Sequence, residues 1–177
     1  MNRIFIAALS LSLLWTSCEN REQKQAARFA PYNKFVQQER GLDSIPDSLA
    51  TPLRDFAVMY PGNTNSPDYL FAAASVYERQ GKWYQSAENF EQYAKLFPAG
   101  KKLERAMLAS AHNYVESGTT KKGKAMYEAF LQKFPNSKLA EDVRLLLPDI
   151  ELSPEQLLEK VLERARQDSL KKAQAQP

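Results

Sequence analysis

An all-α solenoid of paired helices is the fold this sequence predicts, on the strength of two observations. Pro61, Pro98 and Pro135 recur at a constant step of 37 residues, and the same step relates Tyr60 to Phe97 and Phe134, Phe56 to Tyr93 and Phe130, and Leu53 to Phe90 and Tyr127. An apolar face therefore recurs together with its terminator. Within a unit these residues lie three or four apart, as in Phe90, Tyr93 and Phe97, which is the spacing of one stripe along a helix. A fixed period of this size marks an array in which each unit buries its stripe against the next.

At the N-terminus, Met1, Asn2 and Arg3 give a short positive start, and residues 4–15 form an apolar stretch of signal-peptide length, too short to span a bilayer. The stretch ends at Thr16, Ser17 and Cys18, and Cys18 is the only cysteine, so it serves no disulfide within the chain. The segment resembles a bacterial lipoprotein signal, with Trp15 at the position where leucine is usual and Leu14 one residue earlier. The resemblance implies removal of residues 1–17 and lipidation of Cys18. An ordinary signal peptide cleaved elsewhere, or a free thiol, is the alternative. Each buried CH₂ of an acyl chain contributes about 0.8 kcal/mol, so several chains hold a protein on a membrane without a transmembrane helix. From Glu19 to Arg28 the chain is polar and without apolar period, so 18–30 read as the lipidated cysteine and a flexible tether, leaving 31–175 as one repeat domain.

The formal net charge is +3. Loss of Arg3 with the signal peptide leaves +2, a balance with no nucleic-acid footprint. Lys121, Lys122 and Lys124 could attract an acidic partner, but a lysine-rich turn is ordinarily solvated surface.

Each of the two clear units reads helix, glycine turn, helix, proline. The first helices repeat by the same step, Ala74 with Ala111 and Tyr77 with Tyr114, and end at Gly81 and Gly118, where a left-handed cap is easiest for glycine. The proline after each second helix disfavours helical geometry in the aromatic before it. The unit ending at Pro61 is degenerate, with residues 32–38 as its one candidate first helix. After Pro135, a helix over 139–147 stops at Pro148. A last helix opens at Ser153 and Pro154, carries Leu157, Leu158, Val161, Leu162 and Ala165 on one side, and frays from Lys171. It reads as a cap on the solenoid, with a dimer-forming coiled coil as the alternative.

These residues, over about 49–148, resemble tetratricopeptide repeats of the kind found in envelope lipoproteins, such as the helical lipoprotein of the β-barrel assembly machinery and the periplasmic partner of the Tol-Pal system. The resemblance rests on Tyr77, Gly81, Trp83, Phe90, Phe97 and Pro98 in one unit and Tyr114, Gly118, Tyr127, Phe134 and Pro135 in the next. The tracts over 66–71 and 134–142 look most like the lipoprotein branch. Ser86 and Gly123 stand where the family has alanine and remain small enough for close packing. The implied fold is a right-handed tetratricopeptide-type helical solenoid with a C-terminal capping helix.

Catalysis finds little support. His112 is the one histidine and has no companion for a metal site, the six glycines are used in turns and helix packing, and Glu88 with Glu91 are neighbours on one helix. No cofactor and no small-molecule substrate is expected. In a tetratricopeptide array the first helices line the concave face, which implies a partner-binding surface of Phe71, Ser75, Glu78 and Arg79 in one unit and Leu108, His112, Val115 and Glu116 in the next. Exposed there, Phe71 and Leu108 would anchor a peptide; otherwise they pack against the N-terminal segment or a neighbouring helix. The family's carboxylate clamp uses lysine and asparagine at such positions, which this chain lacks. The expectation is an outer-membrane, lipid-anchored adaptor facing the periplasm and binding protein partners, with self-association as the alternative.

Overall fold

The structure, a computed structural model, describes residues 21–174. The expected signal peptide and the lipidation site Cys18 lie outside the described residues. Among them the chain forms α1 (21–29), α2 (Asn33–Gln37), α3 (Ala50–Met59), α4 (Ser66–Arg79), α5 (Trp83–Leu96), α6 (Leu103–Glu116), α7 (Thr120–Lys133), α8 (Ala140–Leu146) and α9 (Pro154–Gln174), with 3₁₀ turns around α2 and before α3. Helices α3 to α7 each pack on the next in the chain, which is the solenoid the period predicts.

The repeated punctuation acts as its chemistry requires. Gly81 and Gly118 take φ of 68° and 79°, and the amides of Lys82 and Thr119 just beyond them donate to the carbonyls of Tyr77 and Tyr114 at 2.9 Å. Each first helix thus closes on a left-handed glycine that satisfies an otherwise free terminal carbonyl. Ahead of the prolines, Tyr60, Phe97 and Phe134 leave the helical region with ψ of 63°, 61° and 56°, while their amides still donate back to Phe56, Tyr93 and Phe130. The helix ends there because the proline ring forbids helical geometry in the residue before it.

The pairs cross closely where the small residues recur. In the α4/α5 pair the buried Ser86 hydroxyl donates to the Ala74 carbonyl at 2.9 Å. In the α6/α7 pair the equivalent contact is made by Gly123, where an added Cβ would lie 2.8 Å from the Ala111 carbonyl oxygen. Buried Phe56, Phe90, Tyr93 and Phe130 fill the core between pairs.

An ion-pair cluster ties α5, α6 and α7 together. Glu91 accepts from the Tyr114 hydroxyl at 2.5 Å and pairs with Lys95 at 2.5 Å and Lys122 at 3.1 Å; Lys122 also lies over the Tyr114 ring. Lys122 is thus engaged within the fold, as is Lys124 with Glu151 at 2.6 Å. Burial raises the Glu91 pKa, but the hydrogen bonds from Lys95, Tyr114 and Lys122 outweigh it and hold the carboxyl down at about 2. Burial and the adjacent Glu91 carboxylate push Tyr114 up. Because the folded value of Glu91 lies below the unfolded one, its stabilisation is present above about pH 4.5 and is lost as pH falls toward 2. Partial exposure of the cluster screens the linkage to about 1–2 kcal/mol. Urea midpoints of the native chain should therefore fall between pH 5 and pH 3 more than those of Glu91→Gln, and equal falls would remove Glu91 from the balance.

The two ends depart from expectation. The polar stretch expected as a tether is helical over 21–29 and is seated on the solenoid by Phe29, which is buried against Phe56 and Tyr69, and by Glu22, which accepts from Asn63 at 2.7 Å. At the other end α9 is a helix through Gln174, but it does not seal the array: apart from Lys160 its side chains over 154–171 are exposed, and Lys160 and Arg164 pair with Asp149. The repeat register explains this. The step of 37 places Pro148 at the position of Ala111, so α8 stops at half length, and it places Lys160, Arg164 and Gln167 where α7 has Gly123, Tyr127 and Phe130. A helix with lysine at the close crossing and an arginine and a glutamine in place of the aromatics cannot pack as the second member of a pair.

Candidate functional site

The residues expected to bind a partner lie on the first helices α4 and α6, and the structure divides them into a covered half and an open half. In the covered half, Phe71 is 1% exposed, with its ring edge-on to Phe90 and Tyr93 at 5.1 and 5.8 Å. Lys102, 5.0 Å above that ring, pairs with Asp68 at 2.9 Å and donates to the Val36 carbonyl at 3.0 Å. Phe71 is thus a core residue packed on the neighbouring helix, the second of the two roles expected for it, and is not an exposed partner-binding residue. Arg79 is likewise engaged: it donates to the carbonyls of Leu42 and Ile45 at 3.0 and 2.7 Å and pairs with Asp47 at 2.5 Å, whose carboxyl it holds below the usual range. Leu42 and Ile45 are buried, so the irregular segment between α2 and α3 lies across this half of the face. Ser75 bonds within its own helix to the Phe71 carbonyl, and Glu78 is half-buried.

In the open half, Leu108 and His112 of α6 line a groove of about 340 Å³. Its other walls are Tyr127 of α7 and Val143 and Leu146 of α8, with Leu139 just before that helix. The lining is almost wholly apolar, Leu139 and Leu146 are 45% and 42% exposed, and Arg105 and Asp142 supply its charges. Val115 does not share it; its side chain lies against Gly123, at the α6/α7 crossing. Glu116 is exposed beyond the groove.

The groove residues that sequence reasoning missed are those contributed by α8. The sequence predicts a helix over 139–147 and assigns it no part in binding. The signal that could have found them is the run Leu145, Leu146 and Leu147 stopped by Pro148, since a half-length helix leaves apolar surface on its neighbour uncovered.

The groove walls carry no nucleophile and base pair, and no group of three or more histidine, cysteine, aspartate or glutamate residues that could hold a metal ion is found among the described residues. No helix among the described residues is long and apolar enough to cross a membrane.

No curated relative matches the chain. Residues 63–176, more than half of it, match the family described as outer membrane lipoprotein, YfiO. The match spans α4 to α9, which includes both clear helix pairs and every wall of the groove. With its paired helices, glycine turns and proline stops, the chain belongs to the YfiO family of outer membrane lipoproteins, of tetratricopeptide type.

Proposed function

We propose that this chain is an adaptor, held on the outer membrane by lipid on Cys18 and facing the periplasm, which docks a protein partner in the groove between α6 and α8. The observation that carries the reading is the groove itself. Side chains as apolar as Leu108, Leu139 and Leu146 stay accessible there while the equivalent face on α4 is covered. Exposed apolar surface in a concave site is costly to keep unless something fills it. A short amphipathic helix or an extended segment with two or three apolar side chains fits its size and lining.

The test is recovery of a crosslinked partner from envelopes with the native protein and with a Leu108→Glu, Leu146→Glu double variant. Both positions have solvent access, so the variant keeps its fold, which circular dichroism checks. Loss of two central apolar contacts costs about 2 kcal/mol or more, so recovery should fall roughly thirtyfold. Equal recovery from a folded variant would rule the groove out.

A second reading, self-association, has its own observation: α9 leaves Leu158, Val161 and Leu162 more than half exposed along one stripe. Sedimentation of the same samples decides it, since a chain that stays monomeric over a wide concentration range does not pair through α9.

A further inference from the structure

We infer that α1 is a second membrane contact, a basic helix face that lies against anionic phospholipid headgroups beside the acyl anchor. The inference rests on the lipid-anchored reading above and adds to it how the folded body sits.

The argument begins with the faces of α1. At 100° per residue, Glu22, Ala26 and Phe29 share one side, and this is the side that meets the solenoid: Phe29 is buried, Ala26 packs on the core, and Glu22 accepts from Asn63. Arg21, Lys24 and Arg28, spaced three and four residues apart, share another side, turned away from the solenoid, and all three are exposed. None of them forms an ion pair with a described residue. The one acidic side chain of the helix is turned inward, so the outward face carries positive charge alone.

Position supplies the second half. Only Glu19 and Asn20 separate Cys18 from Arg21, so three steps along the chain span about 10 Å at full extension. Helix α1 is also fixed to the body through Phe29 and is not a loose leader. A lipid on Cys18 therefore holds the start of α1 within about 10 Å of the membrane surface, comparable to the Debye length of roughly 8 Å at physiological ionic strength, so its cations feel the surface charge. Each lysine or arginine near an anionic surface shifts the equilibrium about fivefold, so three shift it roughly 100-fold toward the face-down arrangement. A neutral surface offers no such shift.

The experiment uses the processed, lipidated protein carrying Ala27→Cys, an exposed position beside Lys24, labelled there with a nitroxide. The protein is placed in vesicles of phosphatidylcholine alone or mixed with phosphatidylglycerol. Expected is a several-fold lower collision rate with a water-soluble nickel complex in the anionic vesicles, reversed by high salt. The same label in an Arg21→Gln, Lys24→Gln, Arg28→Gln variant should be equally accessible in both lipids. Equal accessibility of the native face in both lipids, or shielding that survives in the triple variant, would overturn the inference. The mass of the N-terminal peptide reports the acyl chains independently. A lipidated chain whose label stays accessible sinks this inference alone, whereas a chain without lipid sinks the anchor reading.

Discussion

Replacing Phe71 by alanine will lower the free energy of unfolding by about 3–5 kcal/mol, the range for a fully buried aromatic. The ring is 1% exposed and sits where α4 and α5 meet, edge-on to Phe90 and Tyr93 and beneath Lys102. Its loss opens a cavity and strips the cation from its aromatic partner, and the contacts of Lys102 with Asp68 and the Val36 carbonyl loosen with it. Urea unfolding of the two chains measures the difference directly. Leu108→Ala is the control: Leu108 is only half-buried, at the mouth of the groove, and its truncation should cost less than half as much. A Phe71→Ala chain as stable as Leu108→Ala would mean that the α4 face is open and that Phe71 is the partner anchor first expected.

That contrast shows where the sequence is informative. The period locates α4 to α7, their glycine caps and their proline stops, because each of these depends on local backbone chemistry that repeats with the residues. Which first helix keeps its face free depends on an element with no period at all. Val36, Leu42 and Ile45 are scattered through short turns around Gly41, and nothing in their spacing announces that they bury against α4 or that Arg79 will bind the carbonyls of Leu42 and Ile45. The groove was half legible: Leu108 and His112 follow from the register of α6, whereas Leu139, Val143 and Leu146 matter only because Pro148 cuts α8 short.

The ends were misread for opposite reasons. In α1 two apolar residues, Ala26 and Phe29, suffice to seat a helix whose other positions are polar, so composition suggested a tether. In α9 the stripe of Leu157, Leu158, Val161 and Leu162 suggested a buried cap, but it occupies positions equivalent to Thr120, Lys121, Lys124 and Ala125 of α7, away from the aromatic stripe of the repeat. Carrying the step of 37 to the end of the chain shows Lys160, Arg164 and Gln167 on the side a cap would have to bury. An amphipathic pattern identifies a face; only the register says whether that face points into the array.

The same register logic gives the other large effect, at Gly123. Helix propensity alone favours Gly123→Ala by about 0.8–1.0 kcal/mol, since glycine in a helix interior is the less stable residue. Packing opposes it: a Cβ there would meet the Val115 side chain at 2.6 Å, the Ala111 carbonyl oxygen at 2.8 Å and the Val115 amide nitrogen at 3.1 Å. The Val115 methyl can rotate away, but the two backbone atoms belong to α6 and move only if the helices separate. Overpacking of that kind costs about 1–3 kcal/mol and sometimes more, so Gly123→Ala should be destabilising on balance by about 1–2 kcal/mol, and Gly123→Leu by more than 3 kcal/mol. Thermal unfolding of the two variants beside the native chain tests the order. Ser86 at the equivalent crossing makes the test sharper, because a serine is accommodated there with its hydroxyl on the Ala74 carbonyl. If Gly123→Ser proves as stable as the native chain, the α6/α7 pair can open to the spacing of α4/α5, and the crossing distance is set by more than the residue at this position. If Gly123→Ser falls with Gly123→Ala, the small residue sets the distance, and the step of 37 fixes the separation of helices as well as their ends.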